Sequence, residues 1–210
     1  MKTLLFQGDS ITDCSRQREE VENCRLAFMG HGYAGLLAAK IYREQPEKDW
    51  HIYNRGISGN RVVDLYARWK VDALNLKPDV LSILIGVNDT WHEYNRQNGV
   101  EVPRYEEFLR RLLSWSQEAL PEVKLVLLEP FVLPFGAVGE DWPAEIAQRA
   151  EVVRQAAADF GAAFVPLQEQ FNELAKAWGM DYWLRDGVHP TLAGHQVIAE
   201  QWMKHAGHLL

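Results

Sequence analysis

Three residues that lie far apart in the sequence have the chemistry of a nucleophile, its base and the acceptor that orients the base. Ser10 stands two residues after Gly8, directly behind a short apolar run, and Asp186 stands three residues before His189. A serine hydroxyl becomes a nucleophile near neutral pH only when a base takes its proton. Histidine suits this role because its side chain titrates near neutral pH. Asp186 can hold the Nδ1–H of His189 from the same tight loop and leave Nε2 facing Ser10.

Two further turns offer donors for the negative charge that forms on a carbonyl oxygen under attack. Gly59 lies in the turn after a predicted strand at 50–53, and Asn88 lies in the segment 86–90 after the next predicted strand. An oxyanion is stabilised by N–H groups that are already aimed at it. We therefore assign the backbone N–H groups of Ser10 and Gly59 and the side-chain amide of Asn88 as candidate oxyanion donors.

The elements that must position these residues alternate between strands and helices. Five apolar runs predict strands, at 3–7, 50–53, 79–85, 124–128 and 163–165. Helical stripes of apolar residues lie between them, which predicts one domain over 1–210 with a parallel sheet covered by helices on both faces. The fold class is α/β, a three-layer α/β/α sandwich with five parallel strands and a flavodoxin-like arrangement. Right-handed crossovers bring the strand tips, and with them the polar turns, to one edge.

Several segments around that edge are predicted as irregular. Residues 12–32 form a long polar loop, and 86–90 form a polar turn. Five aromatic residues also fall in predicted loops and at least one of them is expected to line the pocket: Trp91, Phe131, Phe135, Trp142 and Trp183. Trp91, Trp183 and Asp9 are the candidate substrate-binding residues, although helix capping is the favoured role of Asp9.

Composition bounds the class of protein. The chain has 210 residues, of which 47% are hydrophobic and 24% charged, which is ordinary for a globular domain. The net charge of −7 argues against a nucleic-acid or anionic-membrane partner. The amino-terminal apolar run is too short for a signal peptide, so a cytoplasmic location is expected.

The two cysteines do not form a recognisable metal motif. Cys14, Cys24 and His31 are scattered without paired spacing, so no metal and no cofactor is expected. A disulfide between the cysteines is an alternative to two free thiols, and free thiols are favoured in a reducing cytosol.

Four blocks along the chain together resemble one family. Gly8-Asp9-Ser10-Ile11, 54–59, Gly86-Val87-Asn88-Asp89 and Asp186-Gly187-Val188-His189-Pro190 stand in the order of the blocks of the SGNH (GDSL-type) hydrolases. Isoleucine replaces the leucine of the usual first block. The resemblance covers nearly the whole chain and is closest to the acetylxylan and carbohydrate esterases of that superfamily. It implies Ser10 as nucleophile, Asp186 and His189 as the rest of a triad, and Gly59 and Asn88 as oxyanion donors.

Rival site residues have simpler interpretations. Ser58 is a second candidate nucleophile within a glycine turn, and His31 and His92 are candidate bases that lack an aspartate at the D-x-x-H spacing. Asp13 and Asp89 favour loop-fixing or capping roles. His195, one turn into the last helix, is interpreted as structural.

The expected function is hydrolysis of short-chain esters. The resemblance implies an acetylesterase that acts on xylo-oligosaccharides or related sugars, with the acetylated carbohydrate as its small-molecule partner. A homo-oligomer is a further expectation. A lysophospholipase or acyl-thioesterase with the same triad remains an alternative, as does a flavodoxin-like binding module without catalysis. No G-x-G-x-x-G or P-loop follows the first strand, which disfavours a nucleotide site.

Overall fold

The structure, a computed structural model, describes residues 2–20 and 24–210 and contains one five-stranded sheet. The strands are β1 Lys2–Gly8, β2 Trp50–Asn54, β3 Val80–Leu84, β4 Lys124–Leu128 and β5 Ala163–Val165. Their order across the sheet is β2-β1-β3-β4-β5, and every neighbouring pair is parallel. The predicted α/β class and the parallel sheet are confirmed. Helices between consecutive strands allow each strand to run parallel to its neighbours.

Helices fill the connections between the strands and follow the last strand. Their bounds are α1 Ser10–Asp13, α2 Tyr33–Glu44, α3 Val62–Asp72, α4 Val87–Arg96, α5 Val102–Ala119, α6 Trp142–Asp159, α7 Gln168–Trp178, α8 Met180–Trp183 and α9 Leu192–Ala206. Short 3₁₀ turns occur at Cys24–Leu26, Pro46–Lys48, Leu74–Leu76 and Gly207–Leu209.

Two apolar cores lie on opposite faces of the sheet. Side chains of a strand alternate between faces, so Leu4 packs with α2 and α9 while Leu5 packs with α3 and α5. Each core holds a buried tryptophan whose indole N–H is satisfied by a serine: Trp202 donates to Ser82 Oγ and Trp69 donates to Ser116 Oγ, each at 3.0 Å. Apolar burial on both faces therefore stabilises the sheet, and the loops that carry the candidate site residues extend from it.

Two predicted irregular segments contain helices. The predicted turn at 86–90 is wrong, because α4 begins at Val87 directly after Gly86. The predicted loop at 12–32 contains the end of α1 and a 3₁₀ turn, and its residues 21–23 lie outside the described residues. Three tryptophans that were predicted in loops also belong to helices: Trp91 to α4, Trp142 to α6 and Trp183 to α8.

Candidate active site

Ser10 is the first residue of α1, directly beyond the carboxyl end of β1. Asp9 caps this short helix, since its Oδ1 accepts the N–H of Ile11 at 3.0 Å. The backbone N–H of Ser10 has no acceptor among the described residues, as is usual for the first turn of a helix. The serine is therefore raised on a turn with a free donor beside its hydroxyl.

Asp9 itself does not reach the substrate cleft. Its side chain is buried, and burial raises the pKa of its carboxyl to about 7, against the N–H of Ile11 and the charge of His189, which lower it. The interpretation of Asp9 as a substrate-binding residue is corrected, because the side chain points inward to cap α1. The capping role that the sequence favoured is the one observed.

Ser10, His189 and Asp186 form one continuous chain of hydrogen bonds. Ser10 Oγ lies 2.9 Å from His189 Nε2, and His189 Nδ1 lies 2.7 Å from Asp186 Oδ2. Asp186 Oδ1 also accepts the backbone N–H groups of Val188 at 3.0 Å and His189 at 2.8 Å. Since the carboxylate accepts at Nδ1, the proton of a neutral imidazole stays there and Nε2 is left to take the proton of Ser10.

The surroundings keep Asp186 ionised. Partial burial raises the pKa of the Asp186 carboxyl, but the hydrogen bonds from the backbone and ring of His189 and from Val188 N–H outweigh it, and the net shift of the pKa is downward. An ionised Asp186 accepts the Nδ1–H of His189 and leaves Nε2 facing Ser10. The arrangement thus prepares His189 to act as a base.

A second loop, which the sequence analysis did not connect with the site, supports Asp186. Leu133 N–H donates to Gly187 O at 2.9 Å, and Ala137 N–H donates to Asp186 O at 2.9 Å. Gly187 has φ +88°, and a Cβ there would lie 2.3 Å from Phe135 O. Only glycine fits this close approach, so the loop after β4 fixes the backbone that carries the acid.

The candidate oxyanion donors come from two other strand tips. Gly59 has φ +85°, a Cβ there would meet nothing within 4 Å, and its N–H has no acceptor among the described residues. Asn88 Nδ2 donates to Asn60 O at 3.1 Å, which occupies one of its two N–H groups and leaves the other for a ligand. Asn88 is thereby tied to the loop that carries Gly59.

Two buried carboxylates join the loops that carry these donors. Asp13, on the same short helix as Ser10, accepts the N–H of Ser58 at 2.9 Å and its hydroxyl at 2.8 Å through Oδ2. Asp89 accepts the N–H of Val62 at 3.1 Å, which connects α4 with the start of α3. The sequence indicated loop-fixing roles for both residues but not their partners, since each contact spans more than 25 positions.

The rival nucleophile and bases lack the required partners. Ser58 Oγ donates to Asp13 and makes no hydrogen bond to an imidazole among the described residues. His31 is exposed at the cleft, with its backbone N–H bonded to Cys14 O, and His92 lies on α4. Among these residues, the described contacts give only Ser10 both a base and an oriented acceptor for that base.

The candidate aromatic residues separate into two groups. The ring of Trp91 lies 5.6 Å from the ring of His189 and 5.3 Å from that of the buried Trp142, so it lies next to the imidazole. Trp183 instead donates its indole N–H to Leu174 O at 3.0 Å and contacts the ring of Tyr182. Contact of either tryptophan with substrate stays a prediction.

Both cysteines are free, and they lie in separate contacts: Cys14 Sγ is 3.3 Å from His195 Nε2, and Cys24 Sγ is 3.8 Å from His51 Nδ1. Within 2–20 and 24–210, no three histidine, cysteine, aspartate or glutamate residues are grouped as metal ligands. None of the helices in the described ranges is both long and apolar enough to cross a bilayer.

A parallel sheet with a serine beyond its first strand, hydrogen-bonded to a histidine and an aspartate from the loop before the last helix, is typical of one class of hydrolases, and comparison with known proteins identifies the family. The model of the GDSL-like lipase/acylhydrolase family matches residues 6–197. The chain belongs to that family and is a carboxylic ester hydrolase.

The chain is also similar to individual members of that family. It is 37% identical to an acetylxylan esterase of Geobacillus stearothermophilus in an alignment 209 residues long that covers 97% of this chain and 93% of that protein. A crystal structure of that esterase superposes with a TM-score of 0.87 at 36% identity, over 97% and 93% of the two chains. A GDSL-like lipase structure from Parabacteroides merdae superposes with a TM-score of 0.94 at 42% identity, over 100% and 96%.

Proposed function

We propose that the protein removes acetyl groups from xylo-oligosaccharides or related sugars through an acyl-enzyme on Ser10. The observation that carries this proposal is the hydrogen-bonded series Ser10–His189–Asp186 at the edge of the sheet. The similarity to an acetylxylan esterase supports the acetyl group and the sugar. Structures of that enzyme include catalytic mutants in which a serine or an aspartate is replaced by alanine, the two residue types that flank His189 here.

The geometry is suited to two successive acyl transfers. Ser10 Oγ attacks the acetyl carbon while His189 Nε2 takes its proton, and the carbonyl oxygen becomes an oxyanion near the N–H groups of Ser10, Gly59 and Asn88. The intermediate collapses when His189 gives the proton to the departing sugar oxygen, which leaves acetyl-Ser10. Water then attacks this ester, His189 takes the proton of the water, and acetate leaves as the proton returns to Ser10 Oγ.

The sugar half of the proposal has separate support. The partly exposed ring of Trp91 beside His189 is of the kind on which a sugar ring can pack, because pyranose C–H faces are apolar. Exposed polar groups at the cleft, among them Ser15, Ser58 and His31, can bond to ring hydroxyls. A cytoplasmic location and a homo-oligomeric state stay predictions.

The test is a series of p-nitrophenyl esters from acetyl to octanoyl, run beside peracetylated xylobiose. Acetyl should exceed octanoyl in kcat/KM by at least about tenfold, equivalent to about 1.4 kcal/mol of transition-state binding. Acetate should also be released from the sugar. A preference for octanoyl would favour a lysophospholipase or thioesterase, and the absence of acetate release from xylobiose would retire the sugar substrate.

A further inference from the structure

The cleft in front of Ser10 contains a free cation. Its volume is about 380 Å³, and its lining includes Ser10, His31, Ser58, Arg185, Asp186 and His189. Of the side chains that line it in the described part of the chain, Arg185 and Asp186 carry a full charge at neutral pH. Asp186 is already occupied, since both of its oxygens accept N–H groups from its own loop.

The backbone of Arg185 is held beside His189 by hydrogen bonds. Its N–H donates to His189 O at 2.8 Å. Leu184, which precedes Arg185, forms an antiparallel bridge with Pro190, which follows His189. The side chain is exposed at the cleft, and its guanidinium has no hydrogen bond or ion pair with the described residues. The backbone of Arg185 is thus fixed, while its guanidinium remains available to a ligand.

Other arginines near the same edge of the sheet are paired. Carboxylates bind Arg18, Arg55, Arg61 and Arg68 through Asp13, Glu20, Asp64 and Asp72 respectively. Arg16, at the same edge, donates instead to the backbone oxygens of Gly56 and Gln17. Arg185 differs from all of these arginines because its guanidinium has neither kind of partner among the described residues. Its charge also reaches inward, since it opposes the rise that burial causes in the pKa of Cys14.

We propose that Arg185 is a specificity-determining residue that binds a carboxylate of the substrate, so that the preferred substrates are acetylated oligosaccharides bearing a uronic acid. This inference rests on the proposed function. The planar guanidinium matches a carboxylate through two parallel, charge-assisted N–H···O bonds, and a neutral sugar lacks the negative charge that strengthens them. The carboxylate must lie beyond the scissile ester, because Arg185 is on the rim while His189 faces Ser10.

The test compares two trisaccharides that differ only at C6 of one sugar, which is a carboxylate in one and a neutral hydroxymethyl group in the other. Glucuronosyl-xylobiose and glucosyl-xylobiose are acetylated to the same extent, and acetate release gives kcat/KM for each at low and at high salt. The native protein should prefer the acidic sugar by about fivefold at low salt, and the preference should shrink as salt screens the pair.

Variants then locate the effect. Arg185→Gln should bring the ratio of the two rates to about one, Arg185→Lys should keep part of the preference, and Arg111→Gln on the distant helix α5 should keep all of it. Because a ratio is measured, a general loss of activity in any variant does not imitate the result.

Two outcomes distinguish a failure of this inference from a failure of the proposed acetylesterase function. Equal rates on the two sugars with the native protein, or an unchanged preference in Arg185→Gln, would overturn the role of Arg185 and leave the acetylesterase intact. Release from neither sugar while p-nitrophenyl acetate is hydrolysed would overturn the sugar substrate and this inference with it.

Discussion

Two pairs of a nucleophilic side chain and an imidazole lie close to each other and can be compared, because their nucleophiles, Ser10 and Cys14, are four positions apart in the sequence. Ser10 Oγ lies 2.9 Å from His189 Nε2, and Cys14 Sγ lies 3.3 Å from His195 Nε2. They differ at the other ring nitrogen. His189 Nδ1 faces the carboxylate of Asp186, whereas His195 Nδ1 accepts the backbone N–H of Tyr33 at 3.2 Å.

This difference decides which imidazole can act as a base. An acceptor at Nδ1 keeps the proton there and frees Nε2 of His189, while a donor at Nδ1 requires that neutral His195 carry its proton on Nε2, where it faces Cys14. Burial lowers the pKa of His195 to about 3 and raises the pKa of Cys14. The second pair is therefore a neutral structural contact, and the first is arranged for proton transfer.

The largest effect is expected from making the first pair resemble the second. In Asp186→Asn, the amide oxygen can keep the backbone N–H groups of Val188 and His189, which turns the NH₂ toward His189 Nδ1. The imidazole then carries its proton on Nε2, as His195 does. We expect kcat to fall by roughly 10⁴-fold in steady-state hydrolysis of p-nitrophenyl acetate.

Asp181→Asn, an exposed acid on the neighbouring helix α8, is the matched control and should stay within about twofold of native. Retention of a tenth or more of native kcat in Asp186→Asn would contradict the tautomer argument.

The next largest effect is expected at Asn88, a candidate oxyanion donor beside the pair formed by Ser10 and His189. Asn88→Ala removes one donor and should lower kcat by roughly 10²–10³-fold while KM changes far less, because the bond strengthens as charge develops. Asn95→Ala, at an exposed position of the same helix α4, is the control. If Asn88→Ala keeps kcat within a few-fold of native, the amide has no such role.

A smaller effect concerns the pH dependence of stability. His195 in the folded chain has a pKa of about 3 against 6.5 for an ordinary histidine, so its contribution to stability is present above pH 6.5 and is lost as pH falls toward 3. Between pH 7 and pH 5 this loss amounts to about 2 kcal/mol. Urea unfolding at the two pH values should therefore show a smaller loss in His195→Gln than in the native protein.

The native protein must be compared with His195→Gln because other groups also change stability with pH. Burial raises the pKa of Asp9 and of Asp89 to about 7, so these two carboxyls increase stability as pH falls, opposite to His195. His208→Gln, at an exposed position, should behave as native does. Equal pH dependence in His195→Gln and the native protein would show that His195 is protonated in the folded state.

The smallest effect is expected at the cysteine. Cys14→Ala removes a thiol that no neighbouring base activates, so kcat for p-nitrophenyl acetate should stay within about threefold of native, and stability should fall by about 1 kcal/mol through the small cavity. A loss of activity above about a hundredfold, measured with circular dichroism to show folding, would place Cys14 in the reaction.

Much of the fold followed from local pattern. The strands β3 and β4 were predicted to within one residue at each end, because strands buried on both faces read as continuous apolar runs. Helix α4 was missed because its buried first turn is Val87-Asn88-Asp89-Thr90, mostly polar residues that carry no apolar period. These polar residues are buried because they bond to the neighbouring loops of the candidate site, which a helical sequence pattern does not show.

The candidate site followed only in part. Ser10, Asp186 and His189 could be predicted as candidates because each lies in a short block with the residue types that acyl transfer needs, and the structure brings the three side chains within hydrogen-bond distance. The bond between Asp13 and Ser58, and the loop at 133–137 beneath Gly187, join segments 45 or more positions apart and leave no local pattern. The partner of each histidine nitrogen likewise depends on tertiary contacts, so the contrast between His189 and His195 needs coordinates.

The most direct test of the account is to identify the side chain that is acylated. A fluorophosphonate probe should add one label to the native protein, and peptide mass spectrometry should place it on Ser10. Ser10→Ala should remain unlabelled while circular dichroism shows it folded, and Cys14→Ala should label at the native rate. A label on Ser58 or Cys14, or continued labelling of Ser10→Ala, would contradict the assignment of Ser10 and His189 as nucleophile and base.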